Sequence, residues 1–249
     1  MPFFRNVYSA SRAEEGKVFI STGRSEINVP EDVWAIGFDG GIYSAGGRAV
    51  VNGKEILNHP MSAKLVRQVE EIMRDWNLFF MLESIDGTYA GVENQTVSYV
   101  SRQLIRFLEQ ELNGTAQKRM PEHGYVYKID FLAKSKAQAE QLAQKLNASA
   151  KVVYYGSFSP DDPVTFGEIS DRGITKSTAL ASICQYLNAD VKDCIAFGDS
   201  MNDAEILQSA GIGIAMGNAE ERVKALADQI CERCDEDGIA KALTRMKLI

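Results

Sequence analysis

Short apolar runs alternate with amphipathic helical stretches at both ends of this chain of 249 residues. Near the C-terminus, residues 176–188 carry apolar side chains at helical spacing, and residues 194–197 form an apolar run that ends at Gly198. Further short strands and helices alternate from there to the end of the chain. Such alternation is typical of a parallel sheet with helices on both faces. The sequence therefore predicts an α/β fold with a doubly wound core.

The middle of the chain has a different pattern. A long amphipathic helix, short alternating strands and a second helix follow one another without strict strand–helix pairing, as in an α+β insert. Pro60 and the proline-containing cluster 159–163 are suitable hinges. We therefore predict a core made of residues 1–60 and 163–249, with a cap domain inserted at 61–162.

Composition excludes several classes of protein. The net charge is −7, and no block of Lys and Arg interrupts the chain, so nucleic acid is not expected as the main partner. No apolar run approaches the length of a signal peptide or a membrane span, so no membrane partner is expected. The four cysteines are those of a reduced, cytoplasmic protein.

Cys231 and Cys234 form a single C-x-x-C motif. A structural zinc ion would need a second pair of ligands, and His59 and His123 lie far upstream in unrelated contexts. The motif therefore does not predict a zinc site.

The strongest local signal is Gly198-Asp199-Ser200-Met201-Asn202-Asp203, which lies directly between an apolar strand and a helix. Ligands of parallel sheets bind at the carboxyl ends of strands. Two carboxylates and an amide at that place suit Mg²⁺, which prefers hard oxygen ligands. A turn with helix caps uses the same residue types, so this alternative stays open.

Two further signals point to an anion. Ser21-Thr22-Gly23-Arg24 follows the apolar run 17–20, and a hydroxyl beside glycine can donate to a phosphoryl oxygen from both side chain and backbone. Lys176 begins a helix, where the macrodipole disfavours positive charge unless an anion is near. Taken singly, these features are more commonly an ordinary turn and a surface lysine.

Taken together, the three signals resemble motifs two, three and four of the haloacid dehalogenase (HAD) superfamily, and most closely its Cof-type phosphatases, which have a large cap between motifs two and three. The segments 39–46, 212–219 and 235–239 are also similar to family segments. The resemblance implies a Rossmann-like core and a Mg²⁺-assisted aspartate that attacks a phosphate monoester.

The resemblance also implies a role for each matching residue. Lys176 would neutralise the phosphate and the nucleophile as a catalytic residue, while Asp203 would support the metal directly or through another group. Phosphate binding is assigned to Thr22, Gly23, Lys176 and Asn202, and Mg²⁺ binding to Asp199 and Asp203.

The family's first motif, Asp-x-Asp-Gly-Thr, has no counterpart before Thr22, where the sequence contains no aspartate. Asp235-Glu-Asp237 matches the Asp-x-Asp pattern, but the residues before it would make a poor buried strand. Asp39 follows an apolar run but lacks a second carboxylate two residues later. Ala45, where the family usually has Asn, is a further departure. A truncated sequence, a damaged coding sequence and a non-catalytic relative are the three explanations.

The expected function is a Mg²⁺-dependent phosphatase acting on a small phosphorylated metabolite such as a sugar phosphate, inactive in the form given because the nucleophile segment is absent. The alternative is a non-catalytic protein that binds such metabolites. A nucleotide-binding protein is disfavoured, because the chain has neither G-x-G-x-x-G nor G-x-x-x-x-G-K-[ST]. The sequence predicts no oligomeric state.

Overall fold

The computed structural model describes residues 16–90, 116–117, 125–157 and 164–249. Two compact units make up the chain. The first contains Pro30–Asn58, Thr175–Ile249 and the described residues up to Gly23. The second contains Arg24–Val29 and the described residues of His59–Ile174.

Both units contain strands and helices. The strands are β1 (Phe19–Ser21), β2 (Gly40–Tyr43), β3 (Arg48–Val51), β4 (Lys54–Asn58), β5 (Phe79–Ser84), β6 (Thr88–Ala90), β7 (Ala116–Gln117), β8 (Val126–Ala133), β9 (Ala150–Ser157), β10 (Thr165–Asp171), β11 (Ile195–Gly198), β12 (Ile212–Ala215) and β13 (Gln229–Ile230). The α-helices are α1 (Glu31–Trp34), α2 (Ala63–Asp75), α3 (Lys136–Leu146), α4 (Lys176–Leu187), α5 (Ala204–Ser209), α6 (Glu221–Lys224) and α7 (Gly238–Arg245). Short 3₁₀ helices cover Glu26–Asn28, Ser44–Gly46, Val191–Asp193, Met201–Asp203 and Cys234–Glu236.

The first unit contains two sheets. In the first, β1 pairs in parallel with β2, and β3 and β4 continue it as an antiparallel meander. In the second, β11, β12 and β13 are all parallel. Parallel strands joined through helices confirm the predicted α/β class.

Helices cover both faces of the parallel sheet. On one face, Ala196 of β11 packs in a core with Ile183 of α4 and Leu207 of α5. On the other, Phe197 packs against a core that contains Ala242 of α7. This is the doubly wound arrangement that the alternating sequence pattern predicts.

The second unit is built on a six-stranded sheet in the order β7-β6-β5-β8-β10-β9. Its helices begin at serine caps, because Ser62 Oγ accepts from Leu65 N and Ser135 Oγ accepts from Gln138 N. Both helices contribute side chains to one core with the sheet, including Val69 of α2.

Two features of the sequence interpretation differ from the structure. Residues 33–38 are an apolar run that the sequence pattern would make a strand, but they do not form one: Pro30 precedes α1, two acidic residues occupy its first turn, and the strand begins only at Gly40. The stretch 163–174, expected in the core, lies in the second unit because β10 pairs there with β8 and β9.

Candidate active site

The loop after β11 is shaped by Asp203. Gly198 ends the strand, and Asp203 Oδ2 then accepts hydrogen bonds from the backbone N–H groups of Asp199 at 3.1 Å and Ser200 at 3.2 Å. A carboxylate that satisfies free N–H groups at the start of a helix is an ordinary cap. The turn interpretation is therefore correct for this loop, but the same carboxylate has a second contact.

That second contact is a buried ion pair with Lys176. Lys176 Nζ donates to Asp203 Oδ1 at 2.6 Å, and the two residues are only 3% and 5% exposed. Lys176 is the first residue of α4, which begins at a Thr175–Thr178 capping box. A lysine buried at a helix N-terminus needs an anionic partner, and Asp203 supplies it.

Asn202 joins this pair with a defined orientation. Its Oδ1 accepts from Lys176 Nζ at 3.2 Å and from Ser200 Oγ at 2.6 Å. Since the amide oxygen is used by two donors, Nδ2 is the group that Asn202 can offer to a further acceptor.

Gly198 is needed because Asp203 lies against the strand. A Cβ atom at position 198 would come within 2.5 Å of the Asp203 Cβ. Glycine therefore allows the carboxylate to reach back over the end of β11.

Asp199 is the more exposed carboxylate of the loop. Its Oδ2 accepts a weak hydrogen bond from Asn218 Nδ2 at 3.4 Å, and Cys234 N donates in turn to Asn218 Oδ1 at 3.0 Å. Desolvation, followed by the charge of Asp203, raises the pKa of Asp199, while Lys176 opposes the shift. A group of this kind gains from a cation beside it.

The donor set fits a hard divalent cation at Asp199. The side-chain hydrogen bond from Asn218 engages only Oδ2 of Asp199, whereas both oxygens of Asp203 are engaged by protein donors. Asp199 is thus the carboxylate with an oxygen to offer, and Asp203 orients the loop behind it.

Thr22 and Gly23 follow β1 in the other sheet of the same unit. Thr22 N donates to Ile42 O at 2.9 Å, and Thr22 O accepts from Ala45 N at 3.2 Å. The loop is therefore held by β2 and by the turn after it. That turn includes Ala45 at φ 55°, a left-handed conformation that a β-carbon disfavours.

The two aspartate segments considered as substitutes for the missing nucleophile have other roles. Asp39 is 5% exposed, and its Oδ2 accepts from Val18 N at 2.9 Å, which ties the start of β2 to the residues before β1. Asp235 is exposed and pairs with Arg233 Nε at 3.0 Å.

The structure thus joins Lys176, Asn202 and Asp203 by direct contacts, with Asp199 on the same loop. Asn218 was not singled out by the sequence interpretation, although it lies in segment 212–219, one of those that carry the family resemblance. Across the described ranges, no group of three or more His, Cys, Asp or Glu side chains could hold a metal ion.

Comparison with known proteins identifies the family. The family model for haloacid dehalogenase-like hydrolases matches residues 3–243 of the chain. The chain belongs to the haloacid dehalogenase family. The resemblance carried by the three sequence motifs is therefore confirmed.

Relatives within the haloacid dehalogenase family are named as phosphatases. The 5-amino-6-(5-phospho-D-ribitylamino)uracil phosphatase YcsE of Bacillus subtilis is 43% identical over 76 residues, or 30% of each chain. An HMP-PP phosphatase of Yersinia enterocolitica is 29% identical over 230 residues, which cover 90% of this chain and 80% of the relative. The chain spans only 30% and 38% of the length of the two Bacillus subtilis relatives YcsE and YkrA in these matches.

A solved structure shares the fold over nearly the whole chain. The haloacid dehalogenase superfamily phosphatase BT1666 of Bacteroides thetaiotaomicron superposes with a TM-score of 0.81 at 25% identity, covering 98% of this chain and 87% of that one.

Among the described residues, no helix is long and apolar enough to cross a membrane.

Proposed function

We propose that this protein is a phosphatase core that hydrolyses a phosphate monoester of a small metabolite, and that it needs an aspartate nucleophile which these 249 residues do not contain. The observation that carries the proposal is the buried Lys176–Asp203 pair at the end of β11. Lys176 Nζ also contacts the Asn202 amide oxygen, so a positive charge lies against the loop that carries Asp199. Phosphoryl transfer needs chiefly positioning and neutralisation of charge, and this group of side chains can supply both.

Each residue has a chemical role in this proposal. Lys176 lowers the negative charge of the bound phosphoryl group, and Asn202 donates from Nδ2 to one of its oxygens. Thr22 donates from its hydroxyl, and Gly23 from its backbone N–H, to the same group. Asp203 is a positioning residue, because it holds Lys176 and the loop through hydrogen bonds.

Mg²⁺ is the proposed cofactor. Asp199 would hold it through Oδ1, and Asp203 would fix the backbone from which Asp199 projects. When bound, the ion would neutralise charge on the phosphoryl oxygens. Asn218 keeps the other oxygen of Asp199 in place.

The missing nucleophile determines the activity that we expect. No aspartate precedes Thr22, and Asp39 and Asp235 are engaged elsewhere. The 249 residues should therefore have little or no phosphatase activity by themselves.

The proposed substrate is a small phosphorylated metabolite, with sugar phosphates as the leading candidates. Relatives named for a phosphoribitylamino-uracil and for HMP-PP support this class. We propose the second unit, corresponding to the predicted insert 61–162, as a cap that selects the leaving group, and the cytoplasm as the site of action.

The alternative is a protein that binds phosphorylated metabolites without turnover. The specific observation in its favour is that the sequence before Thr22 contains no Asp-x-Asp motif, while Lys176, Asn202 and Asp203 are joined by direct contacts. Under this alternative, adding a nucleophile segment would create no activity.

Binding of Mg²⁺ and inorganic phosphate to the chain as given tests the site. Calorimetric titration of phosphate in the presence of Mg²⁺ should give binding that is lost in Asp199→Ala and retained in the control Asp235→Ala. Equal binding by both variants would contradict the assigned roles. Hydrolysis by an extended chain then separates the enzyme from the binding protein.

A further inference from the structure

Two thiols lie in contact beneath the candidate active site. Cys184 Sγ and Cys194 Sγ are 3.4 Å apart. Cys184 is buried on α4 at 3% exposure, and Cys194, directly before β11, is half-buried. Both are free thiols. A disulfide bond joins sulfur atoms at about 2.05 Å, so the two sulfurs need to approach by only about 1.4 Å.

The backbone brings these thiols together through a tight reversal. α4 ends at Asn188 in the left-handed conformation, and Ala189 N donates back to Cys184 O at 2.9 Å. The 3₁₀ turn Val191–Asp193 follows, and Cys194 N donates to Val191 O at 3.2 Å. The main chain thus brings the two residues close together, and their side chains place the sulfurs in contact.

We propose that Cys184 and Cys194 form a reversible disulfide when the protein meets a low-molecular-weight disulfide such as oxidised glutathione. The inference does not depend on the phosphatase proposal. It identifies a site of oxidative modification in the first unit, outside the residues that bind phosphate or metal.

The reaction proceeds in two exchange steps. The more accessible Cys194 thiolate attacks one sulfur of oxidised glutathione, which forms a mixed disulfide and releases one glutathione thiolate. Cys184 Sγ then attacks the Cys194 sulfur, forms the internal disulfide and releases the second glutathione. The protein loses two electrons and two protons, and the oxidant gains them as two glutathione thiols.

Local electrostatics set the pace of this reaction. Burial and the hydrogen bond with Cys184 raise the pKa of Cys194 to about 12. Because only the thiolate attacks, the rate of disulfide formation is low at neutral pH. The rate rises roughly tenfold per pH unit from about pH 7 to about pH 9. Such a thiol pair withstands brief exposure and responds to sustained oxidation.

The disulfide would join the two elements that carry the candidate active site. α4 begins with Lys176, and β11 leads into Asp199, while the cysteines lie towards the opposite ends of these elements. Since the sulfurs are already in contact, closure restrains the helix against the strand without pulling Lys176 from Asp203. Oxidation should therefore stabilise the unit rather than distort it.

The remaining cysteines provide an internal control. Cys231 Sγ donates to Met216 Sδ at 3.5 Å and lies by Glu232 O at 3.4 Å, while Cys234 is exposed. Trypsin cuts after Lys192 and after Arg233, so it separates the members of both candidate pairs. A disulfide between Cys184 and Cys194 therefore links peptide 177–192 to peptide 193–222. A disulfide between Cys231 and Cys234 links peptide 225–233 to peptide 234–241.

The experiment exposes the full chain to oxidised glutathione, alkylates the remaining thiols in denaturant and maps the unreduced tryptic peptides by mass spectrometry. The expected product links 177–192 to 193–222, with no link between Cys231 and Cys234. Four alkylated cysteines, a link confined to 225–233 and 234–241, or a mixed disulfide on Cys194 that does not progress would each overturn the proposal.

Variants and stability complete the test. Cys184→Ser should stop the reaction at a glutathione adduct on Cys194, and Cys194→Ser should give no adduct at Cys184, whereas Cys234→Ser should behave as the unaltered chain. Oxidation should raise the melting temperature by about 5 °C, and dithiothreitol should reverse the shift. An equal shift in Cys184→Ser would contradict the assignment even if that variant is less stable.

Discussion

Lys176 Nζ lies 2.6 Å from Asp203 Oδ1, and the two nearly buried residues come from positions 27 apart in the chain. This pair connects the first turn of α4 to the loop after β11. The other oxygen of Asp203 holds the backbone of that loop. One carboxylate therefore holds both the loop and the lysine proposed to bind phosphate.

Removing the charge of Lys176 should destabilise the fold strongly. Lys176→Met leaves Asp203 as an unpaired buried carboxylate, and the free energy of unfolding should fall by about 3 kcal/mol or more. Urea unfolding at neutral pH measures the change. Adding Asp203→Asn to this variant should recover part of the loss, because the buried charge is then removed.

Lys224→Met is the matched control for Lys176→Met. Lys224 pairs at 2.9 Å with Glu221, whose side chain is 89% exposed, so its loss should change stability by less than about 1 kcal/mol. If both lysine substitutions lowered the free energy of unfolding equally, the Lys176 pair would contribute no more stability than an exposed ion pair.

Gly198→Ala should disturb the same loop from the strand side. The added methyl group would meet the Asp203 Cβ at 2.5 Å, so either the strand or the carboxylate must move, at about 1–3 kcal/mol. Both phosphate binding and the free energy of unfolding should decrease in this variant. Gly173→Ala, where the nearest atom is 3.6 Å away, is the control and should change little in either measurement.

Local sequence signals predicted most elements of the first unit. The helix 176–188 and the strand 194–197 match α4 and β11 within one residue at each end, because helical periodicity, a capping threonine and β-branched residues act locally. Pairing between distant strands does not follow from such signals. For this reason β10, in which buried and partly exposed positions alternate, was not predicted within the second unit.

The candidate site was predictable in composition but not in geometry. Sequence motifs named Lys176, Asp199, Asn202 and Asp203, yet only the folded chain shows that Asp203 uses both oxygens on protein donors. Asn218 was missed because an asparagine after glycine is typical of any turn. Its contact with Asp199 depends on tertiary packing.

Ala45→Gly should stabilise the protein. Ala45 has φ 55°, where a β-carbon costs about 1 kcal/mol, and glycine relieves that strain. Thermal unfolding should therefore show a higher melting temperature. Ala181→Gly, at an exposed position within α4, should lower the melting temperature by about as much as Ala45→Gly raises it. Destabilisation by both would contradict the left-handed conformation of Ala45.

The second unit should lose stability as Asp130 ionises. Burial, followed by the charges of Glu83 and Glu168, raises the pKa of Asp130 well above its usual range, although Lys128 Nζ lies 3.1 Å away and opposes the shift. A raised folded-state pKa gives stability below about pH 4 that is lost as the pH rises towards the folded value.

Asp130→Asn tests this linkage. The variant should lose less unfolding free energy than the unaltered chain as the pH rises above about 4, by up to about 1.4 kcal/mol per pH unit for one proton. Urea unfolding of both chains across this interval gives the two slopes. Parallel slopes would mean that Asp130 is already ionised in the folded protein at the lower pH.

Hydrolysis of p-nitrophenyl phosphate in the presence of Mg²⁺ tests the central claim most directly. The chain as given should be nearly inactive, a chain extended by an upstream strand ending in Asp-x-Asp-Gly-Thr should be active, and Asp199→Ala should abolish that activity while Asp235→Ala retains it. Strong hydrolysis by the unextended 249 residues, lost in Asp199→Ala, would contradict the account, as would an extended and folded chain that remains inactive.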